Sequence, residues 1–407
     1  MSLEQLNLSI PHGWVELSLR DVTSKVGSGA TPRGGSTVYL DRGIPLIRSQ
    51  NVHDNEFVWE GLAFLSEESS EKLKNVELHG GDVLLNITGD SILRCCCLPD
   101  ALIGGRVNQH VAIVRSNGTV LPLYLQKWLS MPSMKKLMLG FSSGGTRKAV
   151  TQSDILGFPI AVPPLMEQRA IAATLGALDD KIESNSRAMR VSQKLGNALF
   201  YSLATETVSL SEIASITMGT SPKGETLNEN GNGISFYQGT RDFDFRYPRL
   251  RVWTTNPKRF AEPNDTLLSV RAPVGDINRS RSRCCIGRGI AAVHSDSSPS
   301  SLYYAMRCAK STWDKYQGEG TVFASVTKAD VHAAEVLWPK PGTQKILEKE
   351  LSSLDNKIES LCNENESLAS LRDALLPELM SGRIRVPEAR EVVQEATDMQ
   401  VPEMEND

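Results

Sequence analysis

Cationic and aromatic side chains alternate through residues 241–288, and together they could do one kind of chemistry, the binding of phosphate. The bases are Arg241, Arg246, Arg249, Arg251, Lys258, Arg259, Arg271, Arg279, Arg281, Arg283 and Arg288, eleven against five acids. Tyr237, Phe243, Phe245, Tyr247 and Trp253 lie in or beside the run. Such interleaving on a loop-rich domain suits a nucleic-acid surface. A solvated face of internally paired charges is the competing reading. The loop Gly144-Gly145-Thr146-Arg147-Lys148 lacks the spacing of a nucleotide-binding P-loop. It suits close approach of backbone and cation to a DNA phosphate instead.

Other chemistry finds no support. The histidines at 12, 53, 79, 110, 294 and 332 are scattered, without metal-ligand spacing. The cysteines at 95, 96, 97, 284, 285, 308 and 362 are odd in number and bunched. They read as reduced core residues, neither a disulfide framework nor a zinc site. No G-x-S-x-G elbow marks a nucleophile, and no Gly-rich turn suits a nucleotide or methyl donor. Size with no catalytic motif reads as an adaptor.

The elements that would position these residues occur twice. Leu178-Asp179-Asp180-Lys181-Ile182-Glu183-Ser184 returns as Leu354-Asp355-Asn356-Lys357-Ile358-Glu359-Ser360. At the same offset Gln168 answers Gln344, Pro163 answers Pro339, Asp154 answers Asp330 and Thr151 answers Thr327. With a drifting offset, Gly29 to Arg33 answers Gly219 to Lys223, Asp82 to Leu85 answers Asp265 to Leu268, and Gly105-Arg106 answers Gly287-Arg288. The period is too long for a solenoid. It is a domain-plus-helix unit used twice.

Runs such as Val83–Ile87 and His110–Val114, bounded by Gly, Asn and Asp, predict strands. Leu121–Leu139 predicts a helix stopped by Gly140, and Leu302–Tyr316 its counterpart. Apolar steps of three and four predict two long helices. Their seams are Ile171, Leu175, Leu178 and Ile182, then Leu347, Leu351, Leu354, Ile358, Leu361 and Leu368, with Asn185 and Asn365 also in them. A helix of ~40 residues is roughly 60 Å long, which makes it a spacer.

The texture divides the chain into domain 1–162, helix 163–206, domain 207–340, helix 341–386 and an acidic tail 387–407 expected to be disordered. The stretch Glu388–Asp407 carries a net −6 and leaves the rest of the chain near +2, so the overall −4 does not argue against nucleic acid. No run approaches the roughly 18 apolar residues of a membrane span, and Met1–Ile10 lacks signal-peptide character, so the expected location is cytoplasmic with no membrane partner. The expected fold class is α+β: two strand-rich mixed domains joined by two long antiparallel, coiled-coil-like helices, with a pseudo-two-fold repeat.

Three stretches resemble a known family. Ile10-Pro11-His12-Gly13-Trp14 ahead of Leu17–Val22 resembles the opening of a target recognition domain. Pro163 to Ala172 followed by Leu178-Asp179-Asp180-Lys181-Ile182 looks like the central conserved helix of a type I restriction–modification specificity subunit, and Leu371 to Ile384 like the end of its second. The resemblance spans about residues 10–386, departing at Pro341-Gly342-Thr343 where Leu165-Met166-Glu167 stood. It implies a non-catalytic DNA-recognition subunit in which each domain reads half of a bipartite duplex target. It implies that the helices set the spacer and dock two methyltransferase subunits. Restriction (translocase/endonuclease) subunits can join, and methyl donor and ATP belong to those partners, with no cofactor or metal in this chain. The candidate DNA contacts are Arg33, Arg106, Arg147 and Lys148 in the first domain and Arg241, Arg271, Arg288 and Lys328 in the second. The competing functions are a specificity module of another methyltransferase class and a coiled-coil adaptor that binds only protein. The basic run and the strand-rich domains count against the latter.

Overall fold

The computed structural model describes residues 1–32, 34–141, 149–316 and 326–397. The chain forms two compact units, Met1–Ser184 with the chain from Glu364 onward, and Asn185–Asn363. Each unit holds one globular domain and half of each long helix. Sequence texture separates domain from helix and does not draw this division.

In the first unit the central sheet is antiparallel, in the order Thr23–Ser28, Val111–Ser116, Val83–Asn86, Cys95–Cys97. Successive residues face opposite sides of a strand. Val83, Leu85, Ala112 and Val114 therefore enter one core cluster, while Leu84, Val111 and Ile113 enter another. Both faces are covered, which is why these strands are apolar without alternation. A second, smaller sheet places Arg106–Val107 parallel to Ile44–Ile47. The second unit repeats the plan with Ser215–Met218, Ile290–His294, Thr266–Ser269 and Ile277–Arg279. There Cys284–Ile286 runs parallel to Ile234–Tyr237. A two-stranded ribbon closes each domain, Val15–Ser18 with Pro159–Val162 and Ala204–Ser209 with Glu335–Pro339. Among the described residues no helix is long and apolar enough to cross a membrane.

Two predicted helices differ in detail. Leu121–Leu139 is broken at Met131 into Pro122–Ser130 and Pro132–Phe141, because Pro132 forces its predecessor out of the helical region and then opens a new helix. Gly140 lies inside the second piece and does not end it. In the counterpart, Pro299–Cys308 is α-helical and Lys310–Tyr316 is a 3-10 turn. The tail expected to be disordered is corrected over residues 387–397, and residues 398–407 lie outside the described residues. Val386–Thr397 is a helix whose Val386, Ala389 and Val393 enter the first unit's core. Acidic composition hid an apolar spacing of three and four.

The long helices are Leu165–Leu203 and Pro341–Ser381. Pro341 occupies the first turn, where a missing N–H costs nothing. The second helix stops at Gly382, which takes a positive φ of 69° against Pro11 and Trp14. Within the first unit the helices pair antiparallel, with Lys181 on Glu364 at 3.1 Å and the Asn365 amide donating to the Ile182 carbonyl at 3.2 Å. Within the second unit, Met189, Ile358 and Leu361 form the seam. Most other seam residues are shared with a domain. Ile171, Leu175, Leu178 and Leu368 lie in the first unit's core, with Ile182 packed against it. Leu347 and Leu351 enter the second unit's core beside Tyr303 and Trp338. Leu354 is half-buried, and Asn185 is buried.

The repeated motif supplies each unit with an ion-paired carboxylate, half-buried at Asp179 and buried at Asp355. Asp179 pairs with Lys127 and, at 3.0 Å, with Arg372. Asp355 pairs with Arg246 and Arg279, both almost fully buried, and accepts from the Tyr304 hydroxyl at 3.2 Å. Removing one member of such a buried group strands the others, at about 3–5 kcal/mol. Asp355→Ala is expected to lose that much in urea unfolding, whereas Asp373→Ala, at an exposed pair, should stay within about 0.5 kcal/mol. Equal effects would show that the Asp355 cluster is not what fixes the helix.

One ion pair differs between the copies in a way that pH reads out. Arg115 grips buried Asp82 through Nε at 2.6 Å and Nη2 at 2.8 Å. At the equivalent places His294 meets Asp265 at 2.5 Å and Asp296 at 3.0 Å. Hydrogen bonds to Asp296 and Asp265 raise the His294 pKa above its ordinary value. Its stabilisation is therefore complete below the unfolded imidazole pKa of about 6.5 and fades as pH rises through the raised folded value. Hydrogen exchange, corrected for intrinsic rate, should quicken from about pH 6 to 8 in Thr266–Ser269 and Ile290–His294 and not in Val83–Asn86 and Val111–Ser116. His294→Arg should abolish the difference.

Candidate nucleic-acid interface

The loops that link the strands converge at one end of each central sheet, stitched by matching backbone hydrogen bonds. In the second unit Gly287 N donates to Tyr237 O at 2.8 Å, Ile290 N to Gly287 O at 3.0 Å, Val270 N to Gly289 O at 2.9 Å and Val326 N to Val270 O at 3.0 Å. In the first unit Asn108 N donates to Ile47 O at 3.0 Å, Val111 N to Asn108 O at 3.3 Å, Ile87 N to His110 O at 3.0 Å and Val150 N to Ile87 O at 3.0 Å. Gly29 and Gly219 open a further loop. A Cβ on either would collide with backbone, at Val107 O in one and Gly287 O in the other, so both positions need glycine.

Arg271 and Arg288 lie on these second-unit loops, Arg241 in the 3-10 turn Thr240–Asp242 and Lys328 at the start of the short helix Lys328–His332, and all four are exposed. None has an ion-pair partner among the described residues, unlike most of the basic run. Arg246 and Arg279 are buried on Asp355. Arg249 pairs with Asp244 at 2.6 Å, Arg251 with Asp242, and Arg283 with Glu262 at 3.1 Å. Arg281 stacks over Tyr247 and Arg283 over Phe260. Of the interleaved aromatics, Tyr247 thus seats an arginine, and the paired-charge reading holds for much of the run.

The first-unit candidates fare differently. Arg33, Arg147 and Lys148 lie outside the described residues. Arg106 is 5% exposed and spends its guanidinium on the carbonyls of Ser70, Gly104 and Gly105 and on Glu77 at 3.3 Å. It is a structural residue with nothing left for DNA. The cause is a slipped repeat register. Leu46 pairs with Arg106 and Ile47 with Val107, as Phe236 pairs with Cys285 and Tyr237 with Ile286. Arg106 therefore corresponds to Cys285, and Arg288 corresponds to Gln109. The Gly-Arg match between 105–106 and 287–288 is a coincidence three residues out of register.

The correct register exposes residues that sequence reasoning missed. Thr31, Thr88, Gln109 and His110 form one hydrogen-bonded chain on the first-unit loops. Ser221 and Gln238 meet at 3.0 Å on the second-unit loops. Their only signal in the sequence is a polar position between two apolar strands, which any surface loop shows.

The fold and its loops define a duplicated scaffold that presents two equivalent polar surfaces, the form of a recognition protein. Residues 11–189 match the family model of the type I restriction modification DNA specificity domain. The chain is 26% identical over 410 residues to the putative type I restriction enzyme MjaX specificity subunit of Methanocaldococcus jannaschii, covering 93% of this chain and 95% of the relative. A 192-residue stretch is 26% identical to the type I restriction enzyme EcoBI specificity subunit of Escherichia coli, covering 45% of this chain and 39% of that protein. The crystal structure of the type I restriction–modification S subunit from M. genitalium shares the fold, with a TM-score of 0.53 at 15% identity over 92% of this chain and 96% of that one. Residues 11–189 thus carry the likeness to the DNA specificity domain, and the chain is similar along most of its length to a specificity subunit of a type I restriction–modification system.

Arg271 and Lys328, exposed and without an ion-pair partner among the described residues, remain candidates for phosphate contact. Arg271→Gln and Lys328→Gln should weaken binding to all duplexes alike, each lowering the salt slope by about one. Arg249→Gln should leave the slope unchanged, and Arg106→Gln should lower thermal stability with the slope intact. A salt series of binding isotherms checks all four. Unchanged slopes for Arg271 and Lys328 would put the DNA on another face.

Proposed function

We propose that each globular domain reads one half of a bipartite duplex target, and that the long helices set the unread gap and dock two methyltransferase subunits. The restriction subunits join this assembly, and the methyl donor and ATP are used by those partners. The supporting observation is the matched register of the two loop clusters. The same backbone bonds hold them, while the side chains they carry differ. One frame with two sets of tips is what a split target of two unlike halves requires. The unpaired cations of the second cluster supply the sequence-independent attraction of a phosphate backbone.

The test exchanges one reader. Residues 14–162 are replaced by the equivalent domain of a relative with a different target, and methylated sites are mapped across the genome. One half of the motif should change and the other persist. A change in both halves would refute independent reading.

A further inference from the structure

We propose that Gln109 and Arg288, equivalent residues at the tip of the same loop, are base-reading positions, Gln109 selecting adenine in the first half-target and Arg288 selecting guanine in the second. The proposal rests on the half-target reading above. It concerns which side chains carry the sequence information.

Both side chains leave the scaffold at the same point. The bonds from Asn108 N to Ile47 O and from Ile87 N to His110 O fix the loop of Gln109. Those from Gly287 N to Tyr237 O and from Val270 N to Gly289 O fix the loop of Arg288 in the same register. In each loop the middle side chain is exposed, while the residue before it is buried. A side chain so placed projects from a rigid base, which direct readout needs.

The two positions are also held by the same neighbour. Thr31 and Ser221 are equivalent, two residues after the glycines that open their loops. The Thr31 hydroxyl donates to Gln109 Oε1. The Ser221 hydroxyl accepts from Arg288 N at 3.2 Å and donates to Gln238 Oε1 at 3.0 Å.

The chemistry of the tips then differs. Gln109 Nε2 donates to His110 Nε2 at 3.0 Å, so that ring nitrogen is an acceptor. His110 Nδ1 therefore carries the proton and donates to Thr88 Oγ1 at 2.6 Å. The amide is oriented from both ends. It keeps one N–H and one carbonyl lone pair, the complement of N7 and N6–H₂ on adenine in the major groove. A phosphate accepts only and would favour a cation here, as would guanine, whose O6 and N7 suit the fork of Arg288. His110 and Thr31 are positioning residues, acting through the amide.

The experiment maps methylated sites in cells carrying the complete system with Gln109→Ala, Gln109→Arg or Arg288→Gln. Gln109→Ala is expected to relax one A·T position of the first half by about 10–100-fold, with the second half intact. Gln109→Arg should move that position toward G·C. Arg288→Gln should relax a G·C position of the second half alone. Gln109 is exposed, and an unchanged melting temperature for the alanine variant excludes misfolding as the cause. A first half that contains no A·T pair, or one unaltered in both Gln109 variants while the split motif persists, overturns the assignment. A wild-type motif that is not split at all overturns the half-target reading instead, so the two failures are distinct.

Discussion

A carboxylate on a long helix, held by cations from its surroundings, is the constraint on which each unit depends. Asp355 sits with Arg246 and Arg279 where almost no water reaches, and the Arg246 guanidinium lies 3.6 Å from the centre of the Tyr303 ring. Two buried cations around one carboxylate are tolerable only while every member is in place. Burial and the neighbouring Arg246 charge pull the Arg279 pKa down to about 10, so the cluster is under electrostatic tension even when complete. Such a group stabilises little in net terms, but breaking it is costly, and it ties the helix to its domain through Arg246, Arg279 and Tyr304.

The same logic recurs in the first unit with other partners. Asp179 takes Lys127 from the domain and Arg372 from the other long helix. Gln168 Oε1 accepts from Leu121 N at 2.8 Å, and Gln344 Nε2 donates to Ser298 Oγ at 2.8 Å. Both contacts tie a long helix to the start of a domain helix. Glu348 adds a cap in the second copy, accepting from Ser300 N and Ser301 N. The sequence repeat is therefore a repeat of anchoring points. Asp179 and Asp355, and Gln168 and Gln344, are repeated residues that join a long helix to its domain.

That distinction explains what was legible. The duplicated helices and the buried strands announce themselves, because their period and apolar continuity follow from geometry. Pro132 lies inside the apolar run Leu121–Leu139, whose spacing continues on both sides of it and so reads as one helix. The helix Val386–Thr397 was hidden by its acids, since only Ala389 and Val393 and their spacing betray a buried face. Within the basic run, sequence cannot separate Arg249 from Arg271. Each has an acid five residues away, Asp244 and Asp276, but among the described residues only Arg249 is ion-paired with its own. Arg106 was misplaced because a Gly-Arg pair occurs in both copies, whereas the register is set by strand pairing.

The loop tips are variable for a reason that the frame supplies. Their backbone is held by bonds that any residue except proline can make, so Gln109 and Arg288 occupy one position with unrelated side chains. Their exposure means that exchanging one for the other disturbs no packing. The glycines at 29 and 219 cannot be exchanged in this way, because a Cβ there meets backbone. A recognition fold built on these terms separates two demands. Carboxylate anchors hold the helices to their domains, and backbone bonds and glycine contacts keep the loops in place while the side chains at their tips differ between the copies.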